Sequence, residues 1–244
     1  MSEPVGDESL IEEIEDPAPP IARGSWSSGD ATTLVLVRHG VTPHTQAKRF
    51  SGGLGGDNPP LAEEGREQVS LTAAWIKPLL REAAAVIASP VQRTHETGEI
   101  LASTLGLPLE LEPGLAEMEF GHWDGLTFAE VSAQHGDEMK AWLGALERAP
   151  RGGESFRDVE SRVLAALERL RSAYAGRTVV VASHVTPIKT IVAHALGAPL
   201  EAVFRMELAP AAVSVVSFYA DDRASLRLYN ALPPERFGSE AGLW

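Results

Sequence analysis

The fold is decided by the stretch TLVLVRHG at residues 33–40. Its first five residues are β-branched or aliphatic and show no polar alternation, which predicts a short strand buried on both faces. Strands of this kind belong to parallel sheets that helices cover on both sides. An arginine, a histidine and a glycine follow at once, so chemically active side chains are expected at the end of this strand.

Two further buried strands are predicted downstream, AVIA at 85–88 and TVVVA at 178–182. Pro187 suits the first turn of a helix that follows the third strand. Apolar residues recur at helical spacing between the strands, and these helical segments cover 63–82, 91–106 and 154–174. Buried strands that alternate with helices indicate an α/β fold with helices on both faces of the sheet.

The two ends of the chain have different characters. Residues 1–30 combine acids with prolines and a Gly/Ser-rich run, which predicts a disordered tail or linker. Residues 213–219 and 225–229 alternate as an antiparallel pair does. We therefore expect one domain over 31–244, a three-layer α/β/α sandwich with a mostly parallel central sheet and an antiparallel edge.

The composition limits the partners and the chemistry. Net charge is −13, but residues 1–22 hold seven acids and no base, which leaves only −6 on the remainder. We expect no nucleic-acid partner, because an acidic surface is repelled by phosphates. The absence of cysteine excludes disulfides and thiol nucleophiles. Neither a secretory signal nor an apolar run of about 20 residues is present, so a soluble, cytoplasmic protein without a membrane partner is expected.

Arginine and histidine side chains follow three predicted strands: Arg38 and His39 the first, Arg93 the second and His184 the third. The carboxyl ends of parallel strands meet at one edge of a sheet, so these side chains are expected to lie together. Guanidinium groups match phosphate oxygens in bidentate fashion, and a neutral imidazole is a covalent nucleophile. The pattern predicts a site for a phosphoryl group that needs neither a metal nor a cofactor.

Seven segments resemble the motifs of the histidine phosphatase (phosphoglycerate mutase-like) family. They occur in family order, and they are LVRHGVT at 36–42, RFSG at 49–52, PLAEEG at 60–65, SPVQRT at 89–94, LAEMEFGHWDG at 115–125, GGES at 152–155 and SHVTP at 183–187. One Arg-His-Gly is a weak signal, whereas the ordered set is specific. The resemblance implies a phosphoglycerate mutase-like fold.

The resemblance also implies roles for the matching residues. His39 is expected to be the nucleophile, and Glu117 the acid that protonates the leaving oxygen and then the base that activates water. The phosphoryl oxygens are expected to be held by Arg38, Arg93 and His184. Further substrate contacts are expected from Arg49, Thr42, Thr45, Gly52 and Val185. The family commonly has asparagine where this chain has Thr45, which implies an altered substrate contact.

The implied activity is phosphomonoester hydrolysis of the acid-phosphatase type through a phosphohistidine. A small phosphorylated metabolite is the expected substrate, such as α-ribazole phosphate or a sugar phosphate, and the pH optimum is expected to be acidic. A mutase-type phosphotransferase and a non-catalytic phospholigand-binding module remain as alternatives. The insertion between Glu117 and Glu154 is shorter than in mutases of the family, which favours water access and hydrolysis.

Three further interpretations concern smaller features. SHVTPIK at 183–189 resembles the acid-phosphatase domain that follows a ribonuclease H domain in bifunctional actinobacterial proteins, and that domain is similar to α-ribazole phosphatases. HETGE at 95–99 lacks the second histidine of a zinc helix, so no metal is expected there. The glycines of 52–56 lack the Gly-Lys-Ser/Thr ending of a nucleotide loop and predict a mobile loop at the pocket mouth. A homodimer is a further expectation.

Overall fold

The computed structural model describes residues 31–80 and 82–236. The predicted tail over 1–30 lies outside these residues, so it stays a prediction. Within the described residues six strands form one sheet, and they are β1 Thr32–Arg38, β2 Ala83–Ala88, β3 Leu109–Leu111, β4 Thr178–Ser183, β5 Val213–Phe218 and β6 Ala224–Ala231.

The strand order in the sheet is β3-β2-β4-β1-β5-β6. Strands β1 to β4 pair in parallel, whereas β5 runs antiparallel to both β1 and β6. The mostly parallel sheet with an antiparallel edge is therefore confirmed. The short β3 was not predicted, since only three residues form it and two of them are exposed.

Helices cover both faces of the sheet, as the three-layer prediction requires. They are α1 Pro43–Gln46, α2 Glu63–Ile76, α3 Gln92–Leu105, α4 Phe128–Gln134, α5 Gly136–Gly144, α6 Phe156–Ala173 and α7 Val185–Ala195. The segment predicted as helix to residue 82 ends earlier, at Ile76, and a short 3-10 turn follows. Pro78 explains the difference, because proline has no amide hydrogen to continue the helical ladder.

The two faces of the sheet bury separate hydrophobic clusters. Alternate residues of β1 divide between them: Leu34 and Leu36 pack with α6 and α7, and Val35 and Val37 pack with α2 and α3. Because both faces are covered, the central strands show no polar alternation in sequence. Among the described helices, none combines the length and apolar composition that crossing a membrane requires.

Two glycines let the loop after β1 pack directly on the start of α2. A Cβ on Gly40 would collide with the carbonyl of Gly65. A Cβ on Gly65 would in turn collide with the carbonyl of Val41. This backbone contact holds the loop that carries His39 against the helix layer.

Gly65→Ala is expected to lower the free energy of unfolding by about 1–3 kcal/mol, because backbone atoms must move to admit the methyl group. Chemical denaturation measures the loss. Gly144→Ala is the matched control, since no atom of the described part of the chain lies within 4 Å of a Cβ built there and its φ is not positive. An equal effect of the two substitutions would contradict the packing argument.

Candidate active site

The carboxyl ends of β1, β2 and β4 meet at one edge of the sheet and carry the predicted catalytic side chains. The amide of His39 donates to the carbonyl of Ser183 at 3.0 Å, which ties the residue after β1 to the end of β4. Arg93 lies in the first turn of α3, just after β2. Parallel pairing with β4 in the middle therefore brings the predicted residues together.

The imidazole of His39 is buried and held in one tautomer. Its Nδ1 lies 2.7 Å from the carbonyl oxygen of Gly40, which can only accept, so Nδ1 carries the hydrogen. Its Nε2 accepts from Nε of Arg93 at 3.3 Å. The lone pair that a nucleophile needs is therefore on Nε2, beside a guanidinium group.

Burial and two cations keep His39 neutral. Burial lowers the pKa of His39 well below 6.5, and Arg93 and then Arg38 lower it further. Burial also lowers the pKa of Arg38 to about 10, against the raising effect of Glu117, so Arg38 stays charged at neutral pH. A neutral imidazole between two permanent cations has the charge arrangement that an attack on a phosphoryl dianion requires.

His39 is expected to remain neutral well below pH 6.5, since its pKa in the folded chain is lowered. An ordinary histidine would be mostly protonated at about pH 5.5. A ¹⁵N NMR titration of the ligand-free chain checks this, with the His39 signal assigned by comparison with His39→Asn. An imidazolium signal for His39 that appears at the ordinary pKa would contradict the electrostatic account.

The guanidinium group of Arg93 is fixed by backbone oxygens. Its NH2 donates to the carbonyls of Ser51 at 3.1 Å and Gly52 at 2.9 Å. Burial lowers the pKa of Arg93, while Glu117, Asp124 and Glu119 oppose that effect. Arg93 is only 1% exposed, and its hydrogen bonds to these carbonyls fix the guanidinium group beside Nε2 of His39.

The carboxylates of Glu119 and Asp124 bind backbone amides of the glycine-rich loop. Asp124 accepts from the amides of Gly52 at 2.6 Å and Asp57 at 2.7 Å, and Glu119 accepts from the amides of Leu54 and Gly55. The loop at 52–56, predicted as mobile, therefore has three of its amides bound, and the amide of Asp57 next to it is bound as well. Its glycines allow this close approach, because Cβ atoms on Gly53 and Gly56 would crowd the same carboxylates.

His184 lies against the nucleophile. The two imidazole rings have centroids 5.3 Å apart. Nε2 of His184 lies 3.0 Å from Oγ of Ser89 and 3.2 Å from Oγ1 of Thr94, and its Nδ1 is buried without a hydrogen-bond partner among the described residues. Burial and the nearby Arg93 lower the pKa of His184 well below 6.5, so the pair of imidazoles is neutral.

Glu117 is buried in the same cavity, 6% exposed, on a segment that Arg162 of α6 holds in place. The guanidinium of Arg162 donates to the carbonyl of Glu117 at 3.0 Å and to that of Ala116 at 2.7 Å. It also forms a two-point ion pair with Glu154, which accepts from the amide of Glu119 at 2.9 Å. The backbone on both sides of Glu117 is therefore fixed by one arginine that does not line the cavity.

Arg162→Met is expected to lower kcat by roughly 10- to 100-fold with little change in KM, because displaced catalytic groups lose that much rate. The loss in kcat/KM, which reports phosphoryl transfer to His39 and not the later attack of water, should be larger for an alkyl phosphate than for an aryl phosphate with a good leaving group, since only the alkyl leaving group depends strongly on protonation by Glu117. Arg169→Met is the control, because Arg169 is an exposed arginine on the same helix as Arg162 and pairs with Glu112 instead of Glu154. Equal losses with both substrates would argue against positioning of Glu117.

The catalytic cavity has a volume of about 280 Å³. It includes Lys48, Phe50, Ser51, Phe120 and Thr186, which the sequence did not single out as site residues. Phe50, Ser51, Phe120 and Thr186 lie inside recognised motifs, whereas nothing in the sequence marked Lys48. The predicted site residues that line it are Arg38, His39, Thr42, Thr45, Arg49, Arg93, Glu117 and Val185.

Two predicted residues occupy positions behind the cavity wall. Gly52 contacts Arg93 through its carbonyl, and His184 contacts His39 through its ring. Arg49 lines the rim but also donates to the carbonyl of Gly125 at 2.6 Å and pairs with Glu130.

A larger cavity of about 770 Å³ lies near the opposite ends of the strands, beside Thr33 and Thr178, and it includes none of the predicted catalytic residues.

Comparison with known families gives the site its context. The model of the histidine phosphatase superfamily (branch 1) matches residues 34–231. The chain belongs to this superfamily. The resemblance drawn from the ordered motifs is thereby confirmed.

Named relatives of this histidine phosphatase include phosphatases. Phosphoserine phosphatase 1 of Hydrogenobacter thermophilus is 31% identical over 185 residues, 75% of this chain and 85% of the relative. The structure of a putative α-ribazole-5'-P phosphatase from Escherichia coli aligns with a TM-score of 0.74 at 26% identity, over 82% of this chain and 97% of that one. These relatives support an enzyme of the phosphatase type.

A more similar relative is longer than this chain. Bifunctional protein Rv2228c of Mycobacterium tuberculosis is 39% identical over 228 residues, which are 92% of this chain and 60% of the relative. The histidine phosphatase thus spans about 60% of the length of such curated relatives. Its similarity to a bifunctional protein agrees with the resemblance drawn from 183–189.

Proposed function

We propose that this histidine phosphatase hydrolyses phosphomonoesters through a phosphohistidine on His39. One observation carries the proposal: the unprotonated Nε2 of a buried, neutral imidazole accepts from Arg93 in a cavity that also holds Arg38 and Glu117. Nothing in the folding of an α/β sheet requires two arginines and a carboxylate around a buried imidazole, and desolvation makes the arrangement costly.

In the first step, Nε2 of His39 attacks phosphorus and the bond to the ester oxygen breaks. Glu117, in its protonated form, gives its proton to the leaving oxygen, so the alcohol departs neutral. Arg38 and Arg93 balance the charge on the phosphoryl oxygens as it spreads in the transition state. The hydrogen bond from Nδ1 to Gly40 stabilises the positive charge that the ring gains while it holds the phosphoryl group.

In the second step, the carboxylate of Glu117 takes a proton from water, and the oxygen attacks phosphorus. The bond between phosphorus and Nε2 breaks, and orthophosphate leaves. His39 returns to its neutral state, and Glu117 is again protonated, so the cycle closes without a metal or cofactor. Glu117 has both of its oxygens near backbone amides, those of Met118 at 2.8 Å and Thr186 at 3.5 Å, which favours one orientation for both proton transfers.

The proposed substrate class is a small phosphorylated metabolite with an apolar or flat leaving group. Four cationic side chains line the cavity and would attract a dianion, namely Arg38, Lys48, Arg49 and Arg93. Phe50 and Phe120 form an apolar wall, with ring centroids 4.8 Å apart. This wall favours a leaving group such as the base-bearing riboside of α-ribazole phosphate over an unsubstituted sugar.

The test is release of orthophosphate from an aryl phosphate by the full chain with chelator present. Turnover that resists the chelator and releases one phosphate per alcohol supports hydrolysis. Transfer of the phosphoryl group to an added phosphoglycerate without release would instead indicate a mutase, and binding of phosphate without either reaction would indicate a binding module. Comparison of kcat/KM for α-ribazole 5'-phosphate with that for a sugar phosphate tests the substrate class.

A further inference from the structure

Two imidazoles and a carboxylate meet outside the catalytic cavity. Their ligand atoms, from His122, His135 and Glu138, all lie within 4.8 Å of one another, and the three side chains are partly buried. His122 belongs to a short turn after Phe120, and the other two lie where α4 gives way to α5. None of the three lines the cavity that contains His39.

The backbone of Arg151 orients two of these side chains. Nδ1 of His122 donates to the carbonyl of Arg151 at 3.0 Å, and Oε1 of Glu138 accepts from its amide at 2.8 Å. With Nδ1 protonated in this way, the neutral ring presents the Nε2 lone pair on its other side. Nε2 faces Oε2 of Glu138 at 3.1 Å, so two electron-rich atoms are held towards one point.

This arrangement has the form of a zinc site. Metal-bound histidines donate their other ring N–H to a backbone carbonyl or carboxylate, which fixes the tautomer and the ring orientation. Two histidines and one glutamate form a known three-ligand set for zinc, with water in the fourth position. Bonds of about 2.0–2.1 Å in a tetrahedron separate ligand atoms by about 3.4 Å, close to the observed 3.1 Å. The third ligand atom, from His135, lies within 4.8 Å of the other two, and its ring centroid is 4.6 Å from that of His122.

We propose that His122, His135 and Glu138 bind one Zn²⁺ ion outside the catalytic cavity, with water in the fourth position. The ion would connect the turn after Phe120 with the junction of α4 and α5, and both ligand segments are hydrogen-bonded to Arg151. These segments are also joined by aromatic contacts, including Trp123 with Trp142 at 5.5 Å between ring centroids. Zinc would therefore stabilise the insertion beside the apolar wall of the cavity.

Calorimetric titration of the chelator-treated, dialysed full chain with Zn²⁺ tests the site. We expect one saturable site in the native chain and at least 10-fold weaker binding in His135→Ala and in Glu138→Gln. His95→Ala is the matched control, because His95 and Glu99 form an exposed histidine–carboxylate pair that gains no third ligand among the residues the structure describes, and binding should be unchanged. Zn²⁺ should raise the melting temperature of the native chain and the control but not of the two site variants.

Addition of Co²⁺ gives an independent measurement, since its visible absorption reports tetrahedral nitrogen and oxygen ligands. The tetrahedral spectrum should appear in the native chain and be lost in His135→Ala. Native-like binding in both site variants would overturn the proposal and leave the cluster as an ion pair between His122 and Glu138. Zn²⁺ binding that survives in the site variants but disappears in His39→Ala would overturn it as well, because the ion would then occupy the catalytic cavity.

Discussion

His39→Ala is expected to lower kcat/KM for an aryl phosphate by about 10⁴-fold or more, as the removal of covalent nucleophiles does elsewhere. The loss follows from the geometry, since Nε2 of His39 has the unprotonated lone pair next to Arg93. Binding of orthophosphate should persist, because both arginines remain. A continuous release assay measures the first effect, and calorimetry with phosphate measures the second.

The control for this substitution is His194→Ala. His194 is exposed on α7, stacks near Phe218 and does not line the catalytic cavity. It should retain native turnover. Near-native turnover in His39→Ala would contradict the assignment of the nucleophile, and loss of phosphate binding together with a lowered melting temperature would show that the variant is misfolded.

Glu117→Gln is expected to lower kcat for an alkyl phosphate by roughly 10²- to 10⁴-fold, the range that a positioned general acid contributes. The carboxamide is similar in size and its single acceptor oxygen can keep the contact to the amide of Met118, but it cannot protonate the leaving oxygen. An aryl phosphate with a good leaving group needs little protonation of that group. Its first step should therefore slow much less than the second, and a burst of the alcohol should precede slow turnover.

Stopped-flow measurement of the released phenol checks this burst. Glu99→Gln, an exposed glutamate on α3, is the control and should behave like the native chain. A burst of one equivalent in Glu117→Gln means that the phosphoryl group has been transferred and awaits water. Equal losses for alkyl and aryl substrates, without a burst, would contradict the double role of Glu117.

The central strands and the site at their ends could be predicted from sequence because their signals are local. Each of the runs before His39, Ser89 and His184 is short, apolar and free of alternation, which indicates burial on both faces. Parallel pairing then places their ends at one edge without further information. The antiparallel pair β5 and β6 could also be predicted from a local signal, which in this case was the alternation of its residues.

The supports of the site could not be predicted because they depend on contacts between distant segments. Arg162 looks in sequence like any charged residue on an amphipathic helix, yet it reaches carbonyls 45 and 46 positions away. Lys48 carries no motif, and its φ of 53° reflects a turn that only the fold imposes. The hydrogen bonds from the glycine-rich loop to Glu119 and Asp124 could not be predicted, because the spacing of these residues in sequence does not show that they approach the loop.

The most direct test of the central claim is to locate the phosphoryl group during turnover. Glu117→Gln is mixed with an aryl phosphate that has a good leaving group, quenched in alkali during the burst, and digested for mass spectrometry. We predict one acid-labile phosphate on the peptide that contains His39, and none when His39→Ala is added to the same variant. A burst without phosphate on His39, or with phosphate on another residue, would contradict the phosphohistidine mechanism.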